Sequence, residues 1–530
     1  MSDCKKLLVI GLDGFDPVVG ASLMQEGKLP NLERLDGSAH RFRLDPGFEK
    51  YTGLAWEHFS SGLTPQEASR WSAIAIDAQR YLPDQPTTRC APFTEKLHAR
   101  TAVFDTPYFD LAQTRSAQGM TSWGSHDPGV SQCSVPSGLA EEIVSRFGEY
   151  PASEFIYAHV WPNAELAAEM GRAMIAAVNL RSDITSWLFG ERLEDWDLAI
   201  TVISEYHSAT EALWHGWDET HPLHGVGSAA AAREGLVGVY QAADAMLGRM
   251  IDEFHDASVL AFTPHGMGRN KADVAAMLLL PELIYRHCTG KIGFDADPSW
   301  EMDGTGSSDL LGTSDWSRVV NQRLRVEQAP AARPRWRFQA PPPQPRPHLE
   351  ECVIDWMPAA RYRAAWPGME AYAMPAYYHG LVRINLKGRE VCGVTPLRRY
   401  RSTLDQIADV IQSCRDPSTG DPIEVEIEHR LEDDPRDRHP TDVDLIVRFQ
   451  KDYYAFEHKE LGLIGPAPCR RPGGHTGGDG VGYYLIRQHR GGDLGTFRTL
   501  DLSNAVAALI GNGSAVGGLA EALRRASLSG

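Results

Sequence analysis

Short apolar segments alternate with helix-like segments in the first half of the chain, and this alternation restricts the folds open to it. Residues Leu7–Leu12, 197–203 and 258–262 are apolar runs with the length and the aliphatic or β-branched composition of buried strands. Residues 229–254 carry apolar side chains at helical spacing. Strands that alternate with helices predict an α/β fold with a mostly parallel central sheet flanked by helices.

Polar residues follow each of these three predicted strands directly. Asp13 follows the first strand, Glu205 and His207 follow the second, and His265 follows the third. The carboxyl ends of parallel strands meet at one edge of a sheet, and α/β proteins bind their ligands at that edge. We therefore expect these side chains to lie around one site.

Three residues of metal-binding type recur every four positions after the second strand: His207, Glu211 and His215. On a helix, residues four apart lie one above the other, and imidazole and carboxylate groups bind Zn²⁺, Mn²⁺ or Fe²⁺. Three side chains over two turns span about 12 Å, so they do not all reach one ion. The alternative is a helix face whose histidines and glutamate contact water, and the spacing alone does not decide.

Three further candidates lie in loops. His265 in TPHGMG and His475 in GGHTGGDG have glycine neighbours, which let the backbone turn sharply beside a ligand. Thr52 lies in YTGLAWEHFSSGLTP, and a threonine hydroxyl becomes a good nucleophile when a metal ion coordinates it. Taken alone, Thr52 is as well explained as a turn residue.

Taken in order along the chain, several segments resemble the alkaline phosphatase superfamily, in particular its type I phosphodiesterase/nucleotide pyrophosphatase and predicted phosphohydrolase/phosphomutase branch. These segments are LLVIGLDGFDP, GKLPNLERL, TGLAWEHFSSGLTP, GLVRINLKGREVCGVTP, CRDPSTGDP and GGHTGGDGVGYYLI. The resemblance covers nearly the whole chain and implies an alkaline-phosphatase-like core. It also implies metal-dependent hydrolysis of phosphate mono- or diesters, with Thr52 as the nucleophile that becomes covalently phosphorylated.

The resemblance implies one or two divalent transition-metal ions, with zinc favoured over manganese or iron. The implied ligands are Asp13, Thr52, His207, Glu211, His265 and His475. Two family motifs differ here, because an Asp-x-x-x-His pair is replaced by His207 and Glu211, and an Asp-His pair by Pro264 and His265. The second change removes a carboxylate from one metal site. Further candidates, as ligands or as contacts to ligands, are Glu205, His215 and Asp16.

Two other functions remain open on the same sequence. The same fold and Thr52 would serve an enzyme that transfers the group to an acceptor other than water, such as a transferase, a mutase or a biosynthetic tailoring enzyme. Pro264 is the reason to consider a degenerate member that binds a ligand without turnover. For substrate binding, a basic strand offers Arg383, Asn385, Lys387 and Arg389 on one face, because arginine binds phosphate with two hydrogen bonds. The alternative is that this face is only solvated.

The length and charge of the chain limit its organisation and its partners. A single core stops growing near ~250–300 residues, so 530 residues predict more than one unit. We expect residues 1–280 and 379–530 to form the two parts of the core, and 281–378 to form an insertion or cap with a proline-rich stretch at 329–348. The net charge of −18 argues against nucleic acid or an anionic membrane as the partner and leaves a small anionic substrate. Without a signal peptide or a run of about 18 apolar residues, we expect a cytoplasmic protein, for which a homodimer remains open.

Overall fold

The computed structural model describes residues 6–47, 53–88, 90–157, 163–305, 316–326, 354–487, 489–511 and 517–528. Thr52 and the proline-rich stretch 329–348 lie outside these ranges. The strands in chain order are β1 (Leu7–Leu12), β2 (His40–Asp45), β3 (Ala75–Asp77), β4 (Leu82–Asp84), β5 (Thr101–Phe104), β6 (Ala117–Thr121), β7 (Cys133–Val135), β8 (Leu198–Ile203), β9 (Ser258–His265), β10 (Gly268–Arg269), β11 (Ala371–Met374), β12 (Gly380–Ile384), β13 (Val425–His429), β14 (Leu445–Phe449), β15 (Phe456–His458), β16 (Gly462–Ile464), β17 (Gly473–Gly474), β18 (Asp479–Leu485) and β19 (Asp493–Arg498).

The helices in chain order are α1 (Pro17–Gln25), α2 (Pro30–Ser38), α3 (Ala55–Ser61), α4 (Pro65–Ala68), α5 (Leu139–Phe147), α6 (Ala164–Trp187), α7 (Glu205–Trp217), α8 (Ala229–Glu253), α9 (Leu280–Thr289), α10 (Trp316–Asn321), α11 (Pro358–Arg361), α12 (Tyr400–Gln412), α13 (Leu502–Leu509) and α14 (Gly518–Leu528). Within the described ranges, none of these helices is long and apolar enough to cross a membrane. A location in the cytoplasm stays a prediction.

Nine strands of the described chain form one large sheet in the order β19-β2-β18-β9-β1-β8-β5-β6-β7. Strand β1 runs parallel to both β8 and β9, β5 runs parallel to β6 and β8, and β2 runs parallel to β19. Antiparallel pairs occur between β18 and its neighbours β2 and β9, and between β6 and β7. The predicted α/β fold with a mostly parallel central sheet is confirmed.

Helices cover both faces of this sheet, so its central strand β1 is buried along its whole length. Side chains alternate between the faces of a strand, and β1 follows this rule. Leu8 and Ile10 pack into the core that contains α6, α7 and α8. Leu7 and Val9 pack into the core on the opposite face, with α13 and α14. This double burial explains why the strand reads as a continuous apolar run in the sequence.

Strand β9 extends beyond the predicted end at Phe262 and includes His265. Its pairing with β1 ends at Phe262, whereas its pairing with β18 continues to His265. Pro264 therefore lies beyond the ladder with β1, and its missing N–H removes no hydrogen bond to that strand. The Pro264 carbonyl accepts a hydrogen bond from Thr499 Oγ1 at 3.0 Å.

A second, antiparallel sheet has the strand order β11-β12-β14-β13. Together with α9 and α12 it belongs to a third hydrophobic core, which draws mainly on residues between 274 and 469. This core therefore includes residues from both sides of the boundary predicted at 378/379. The predicted domain limits stay a prediction.

Arg383 in β12 and Arg389 in the turn that follows it stabilise this second sheet. Arg383 donates from Nε to Glu390 Oε1 at 3.0 Å, and Arg389 donates from Nη1 to Asp444 Oδ1 at 2.9 Å. Both arginine side chains are buried. A solvated face, one of the two readings of this strand, is therefore wrong for them.

Asn385 is also buried, and its side-chain amide donates to the Trp366 carbonyl at 2.8 Å. Lys387 alone among the four candidates is exposed. Hydrogen bonds within the fold account for three of the four side chains, and none of the four lines the cleft described below. Their role as substrate ligands stays a prediction.

Candidate functional site

Three neighbouring strands deliver the first polar residues of the site. Asp13 follows β1, helix α7 with His207 begins just after β8, and His265 ends β9. Since β1 pairs in parallel with both β8 and β9, these three carboxyl ends lie side by side. Of the four residues that the sequence placed after these strands, the structure brings together Asp13, His207 and His265, whereas Glu205 pairs with Arg181.

A glycine turn lets the end of β1 approach helix α7. Gly14 has a φ of +79°, and a Cβ at this position would lie 2.3 Å from the Cα of His207. Only glycine fits such a contact and such a backbone angle without strain. The close approach leaves the Oδ2 atom of Asp13 at 3.2 Å from the Nδ1 atom of His207.

His475 reaches the site on the glycine-rich loop between β17 and β18. A Cβ on Gly473 would lie 2.1 Å from the carbonyl oxygen of Thr210 in α7. A Cβ on Gly477 would lie 2.2 Å from the carbonyl oxygen of Met267, just after β9. The loop therefore packs directly on both neighbouring segments, which explains the density of glycine around His475.

Three histidines form a hydrogen-bonded chain. His207 Nε2 lies 2.8 Å from His475 Nε2, and His475 Nδ1 lies 3.1 Å from His265 Nε2. His265 Nδ1 lies 3.1 Å from the Gly266 carbonyl, which can only accept, so this nitrogen donates. His265 Nε2 then accepts from His475 Nδ1, and His475 Nε2 accepts from His207 Nε2. His207 Nδ1 also donates, because its partner is the Asp13 carboxylate.

Of the three hydrogen-bonded histidines, His207 is therefore the one that carries a positive charge. Burial alone would lower its pKa, but the charge of Asp13 and hydrogen bonds to Asp13 and Glu211 raise the pKa of His207 to about 10. Burial would raise the pKa of Asp13, but the charge and hydrogen bond of His207 hold it below its ordinary value. Burial, helped by the charge of His207, holds the pKa of His475 well below its usual range. The three histidines thus comprise one imidazolium, His207, beside neutral imidazole.

Glu211 lies one helical turn after His207. Its Oε1 atom is 3.5 Å from His207 Nε2 and also contacts the Arg471 guanidinium. Arg471 is shared with Asp273, to which it donates from Nε at 2.7 Å and from Nη2 at 3.1 Å. Burial would raise the pKa of Glu211, but the charge of Arg471 and the charge and hydrogen bond of His207 lower it. The carboxylate is therefore ionised although it is fully buried.

His126 and Asp127, between β6 and β7, are site residues that the sequence did not reveal. The His126 ring stacks on His207, with 3.8 Å between ring centroids and 15° between planes. Within the described chain, His126, His207 and Glu211 form a group whose possible ligand atoms all lie within 4.8 Å of one another. The only local sign is the Asp-Pro-Gly sequence after His126, which indicates a turn and no ligand.

Asp13, His207, His265 and His475 border a cleft with an empty volume of about 390 Å³. Its lining consists of Asp13, Gly53, Ala55, Trp56, Tyr108, Asp127, His207, His265, Tyr378 and His475. The centroid of the Tyr378 ring lies 4.1 Å from that of His475. A Cβ on Gly53 would lie 2.8 Å from Tyr378 Cε2, so the ring also packs on the backbone next to Thr52. The role of Thr52 as a nucleophile stays a prediction.

Two further candidate ligands are held elsewhere by the fold. His215 Nε2 lies 3.1 Å from the Ser228 hydroxyl, and burial lowers the pKa of His215 to about 4. Asp16 begins helix α1, where its Oδ1 accepts from the backbone N–H of Val19 at 2.9 Å. Its Oδ2 accepts from the N–H of Met267 at 3.0 Å. Neither residue lines the cleft.

Glu205 belongs to a buried ionic cluster, so its proposed role at the metal is not supported. Arg181 donates to Glu205 Oε1 from Nη2 at 2.9 Å and to Asp105 Oδ2 at 2.8 Å. The Tyr150 hydroxyl donates to the same Glu205 oxygen at 3.3 Å. Glu205 therefore does not replace the carboxylate that is missing at Pro264.

The donor set of the cleft suits a divalent transition metal. Imidazole and carboxylate groups are the ligands that zinc, manganese and iron share. Oε1 of Glu211 contacts Arg471 and His207, whereas Oε2 accepts no hydrogen bond of ordinary geometry from the described residues. A buried carboxylate of this kind, beside several imidazole nitrogens, is what a bound cation would satisfy.

No protein-family model matches the chain, and no curated protein matches it. One solved structure, a murine ectonucleotide pyrophosphatase/phosphodiesterase 5 in an inactive form with AMP, is 9% identical with a TM-score of 0.45. It covers 97% of this chain and 96% of its own. Another, phosphonoacetate hydrolase from Sinorhizobium meliloti 1021 with phosphonoformate, is 12% identical with a TM-score of 0.44 and covers 96% of both chains. AMP and phosphonoformate are ligands of those two proteins.

Proposed function

We propose that this protein is a metal-dependent hydrolase of phosphate mono- or diesters in which Thr52 is the nucleophile. The observation that supports the proposal is the meeting of Asp13, His207, His265 and His475 at one cleft. They come from three strand ends and a distant loop, and Gly53, which follows Thr52 in the sequence, lines the same cleft. The proposal includes a small anionic substrate.

The ligands that we propose for one or two divalent transition-metal ions are Asp13, Thr52, His207, Glu211, His265 and His475. Zinc is the first choice, and manganese or iron the alternatives. Such an ion supplies positive charge for the phosphoryl oxygens and lowers the pKa of a coordinated hydroxyl. Because Pro264 supplies no carboxylate, the ligand set around His265 is less anionic than the family pattern.

The residues of the chain orient and shield this chemistry. Asp13 fixes the ring of His207 through Nδ1, which leaves Nε2 directed towards His475. Tyr378 packs on His475 and limits the access of water to that side of the cleft. In the reaction, the Thr52 oxygen forms a bond to phosphorus as the alcohol group leaves. Water then breaks the phospho-threonine bond and releases the product.

The test combines metal content with hydrolysis of p-nitrophenyl phosphate and bis(p-nitrophenyl) phosphate by the full chain. We expect bound transition metal, and turnover that a chelator abolishes and Zn²⁺, Mn²⁺ or Fe²⁺ restores. Thr52→Ala should lower kcat by roughly 100-fold or more, since it removes the nucleophile. Thr419→Ala is the matched control, because Thr419 is exposed and its hydroxyl only accepts from the Asp421 N–H.

Other outcomes would point to the alternatives. Full activity of Thr52→Ala would exclude the covalent mechanism. A new phosphate ester in the presence of an alcohol, in place of free phosphate, would indicate a transferase. If the protein shows neither bound metal nor turnover after reconstitution, the remaining interpretation is a degenerate member that binds a ligand without turnover. The absence of a carboxylate at Pro264 is the reason to consider it.

A further inference from the structure

His126 is a buried histidine in none of the segments that carry the family resemblance. It lies in the loop after β6 and is 2% exposed. Its ring lies almost parallel to that of His207, which is in α7. Stacking of this kind brings the Nε2 atom of His126 to 3.4 Å from the Oε2 atom of Glu211.

Hydrogen bonds on the other side of the ring decide which nitrogen of His126 carries the proton. The Ser208 hydroxyl donates to the Ile156 carbonyl at 2.7 Å, and a carbonyl can only accept. The single hydroxyl proton of Ser208 is therefore used. His126 Nδ1, at 3.0 Å from the same oxygen, must be the donor of that contact. In the neutral ring, Nε2 then holds a lone pair.

In its neutral form, His126 thus presents a lone pair on Nε2 close to a buried carboxylate. His126 Nε2 lies 3.4 Å from Glu211 Oε2, and Glu211 is 0% exposed. Arg471 contacts the other oxygen, Oε1, and divides its charge between Glu211 and Asp273. The side of Glu211 that faces His126 is the side where a cation would be stabilised by both groups.

We propose that His126 Nε2, His207 Nε2 and the Glu211 carboxylate together bind a divalent transition-metal ion, with His126 as a ligand outside the family pattern. The possible ligand atoms already lie within 4.8 Å of one another. Two histidines and a glutamate are a donor set of catalytic zinc sites, which keep a further position for water or substrate. Ser208 holds the second ring nitrogen of His126, as metal-binding histidines usually require. The inference rests on the proposed metal dependence and assigns an additional imidazole ligand at the site of His207 and Glu211.

The test measures Zn²⁺ affinity by isothermal titration calorimetry and the visible absorption spectrum of the Co²⁺-loaded protein. Both use the full chain after removal of metal. For His126→Gln we expect Zn²⁺ binding weakened by about 100-fold or more, and a changed Co²⁺ spectrum because a nitrogen ligand is lost. Ser208→Ala should weaken binding by roughly 10–100-fold, since it only orients the ligand. His215→Gln is the control, because His215 lies on α7 with Ser208 and is as buried as His126. It should change neither the Zn²⁺ affinity nor the Co²⁺ spectrum.

The outcomes separate this inference from the proposed function. Unchanged Zn²⁺ affinity and an unchanged Co²⁺ spectrum in His126→Gln would overturn the inference, even if the wild-type protein hydrolyses phosphate esters. Loss of affinity in His126→Gln, in a wild-type protein that hydrolyses no ester, would support the inference and overturn the function. If His126→Gln does not fold, as judged by circular dichroism, Ser208→Ala provides the same comparison. A wild-type protein that binds neither Zn²⁺ nor Co²⁺ would overturn both.

Discussion

His207 and His475 place their Nε2 atoms 2.8 Å apart, although 268 positions separate the two residues in the chain. Two imidazole nitrogens at this distance share a proton. In the metal-free chain the proton comes from His207, which Asp13 keeps charged. A metal ion would replace that proton, so the energy of metal binding should depend on this contact.

Zinc should therefore stabilise the folded protein through His475. At a free Zn²⁺ concentration of 100 times Kd, the free energy of unfolding should rise by about 2.7 kcal/mol. Urea titrations with and without Zn²⁺ measure this difference. In His475→Ala, compared at the same Zn²⁺ concentration, most of the increase should disappear. His255→Ala, an exposed histidine, is the control, and an equal increase in both variants would contradict a role for His475.

A second prediction concerns the turn that joins Asp13 to His207. Gly14 and Gly27 both have positive φ angles, +79° and +69°, so alanine strains the backbone at either position by roughly 1–2 kcal/mol. Only at Gly14 would the new Cβ meet a neighbour, at 2.3 Å from His207 Cα, whereas nothing lies within 4 Å at Gly27. Gly14→Ala should therefore lose more stability than Gly27→Ala and should also lose Zn²⁺ affinity.

Urea unfolding and zinc titration of both variants check this prediction. Gly27→Ala reports the strain alone, because it is remote from the site and its Cβ has free space. Equal stability losses and equal zinc affinities in the two variants would mean that the turn yields without moving α7. The close contact would then not be what positions Asp13.

The strands and helices with strong local periodicity were predictable from the sequence. Strand β1 is exactly the apolar run at Leu7–Leu12, and α8 covers Ala229–Glu253 within one residue of the predicted range. Strand β1 is buried along its whole length and α8 is buried at helical spacing, so the spacing of apolar residues in the sequence predicts both elements. Asp13, His207 and His265 were expected at one site for the related reason that parallel strands end together.

Contacts between distant segments could not be predicted in this way. The pairing of Glu205 with Arg181 depends on how α6 packs, which no local pattern records. The alternation of Arg383 and Asn385 showed that they share a face, but not that other segments cover this face. The proximity of His126 to the site could not be predicted because it depends on the stacking of His126 with His207, while its own surroundings in the sequence indicate an ordinary turn.

The buried cluster around Arg181 gives a prediction about stability. Arg181 is fully buried and is the cation between Glu205 and Asp105. Arg181→Met leaves two buried carboxylates without their shared cation, so the free energy of unfolding should fall by about 3–5 kcal/mol. Arg249→Met removes an ion pair with Asp183 on an exposed surface and should cost about 0–1 kcal/mol. Urea denaturation of both variants provides the comparison, and similar losses would contradict the role assigned to Arg181.

The last prediction concerns the stability of the protein in acid. Burial, with the charge of Arg448 as a smaller cause, lowers the pKa of His379 to about 3, and burial lowers the pKa of His58 to about 4. Below pH 6.5 the unfolded chain therefore binds protons that the folded chain excludes, and stability must fall as the pH falls towards these values. Each histidine contributes a slope of about 1.4 kcal/mol per pH unit in this range. His379→Gln should reduce the slope of the unfolding free energy between pH 6 and 4 by about that amount, and His58→Gln should do the same.

Urea unfolding at a series of pH values measures the slopes, and the curves of variants and wild type should run parallel above pH 7. Parallel curves below pH 6 as well would show that these two histidines are protonated in the folded protein.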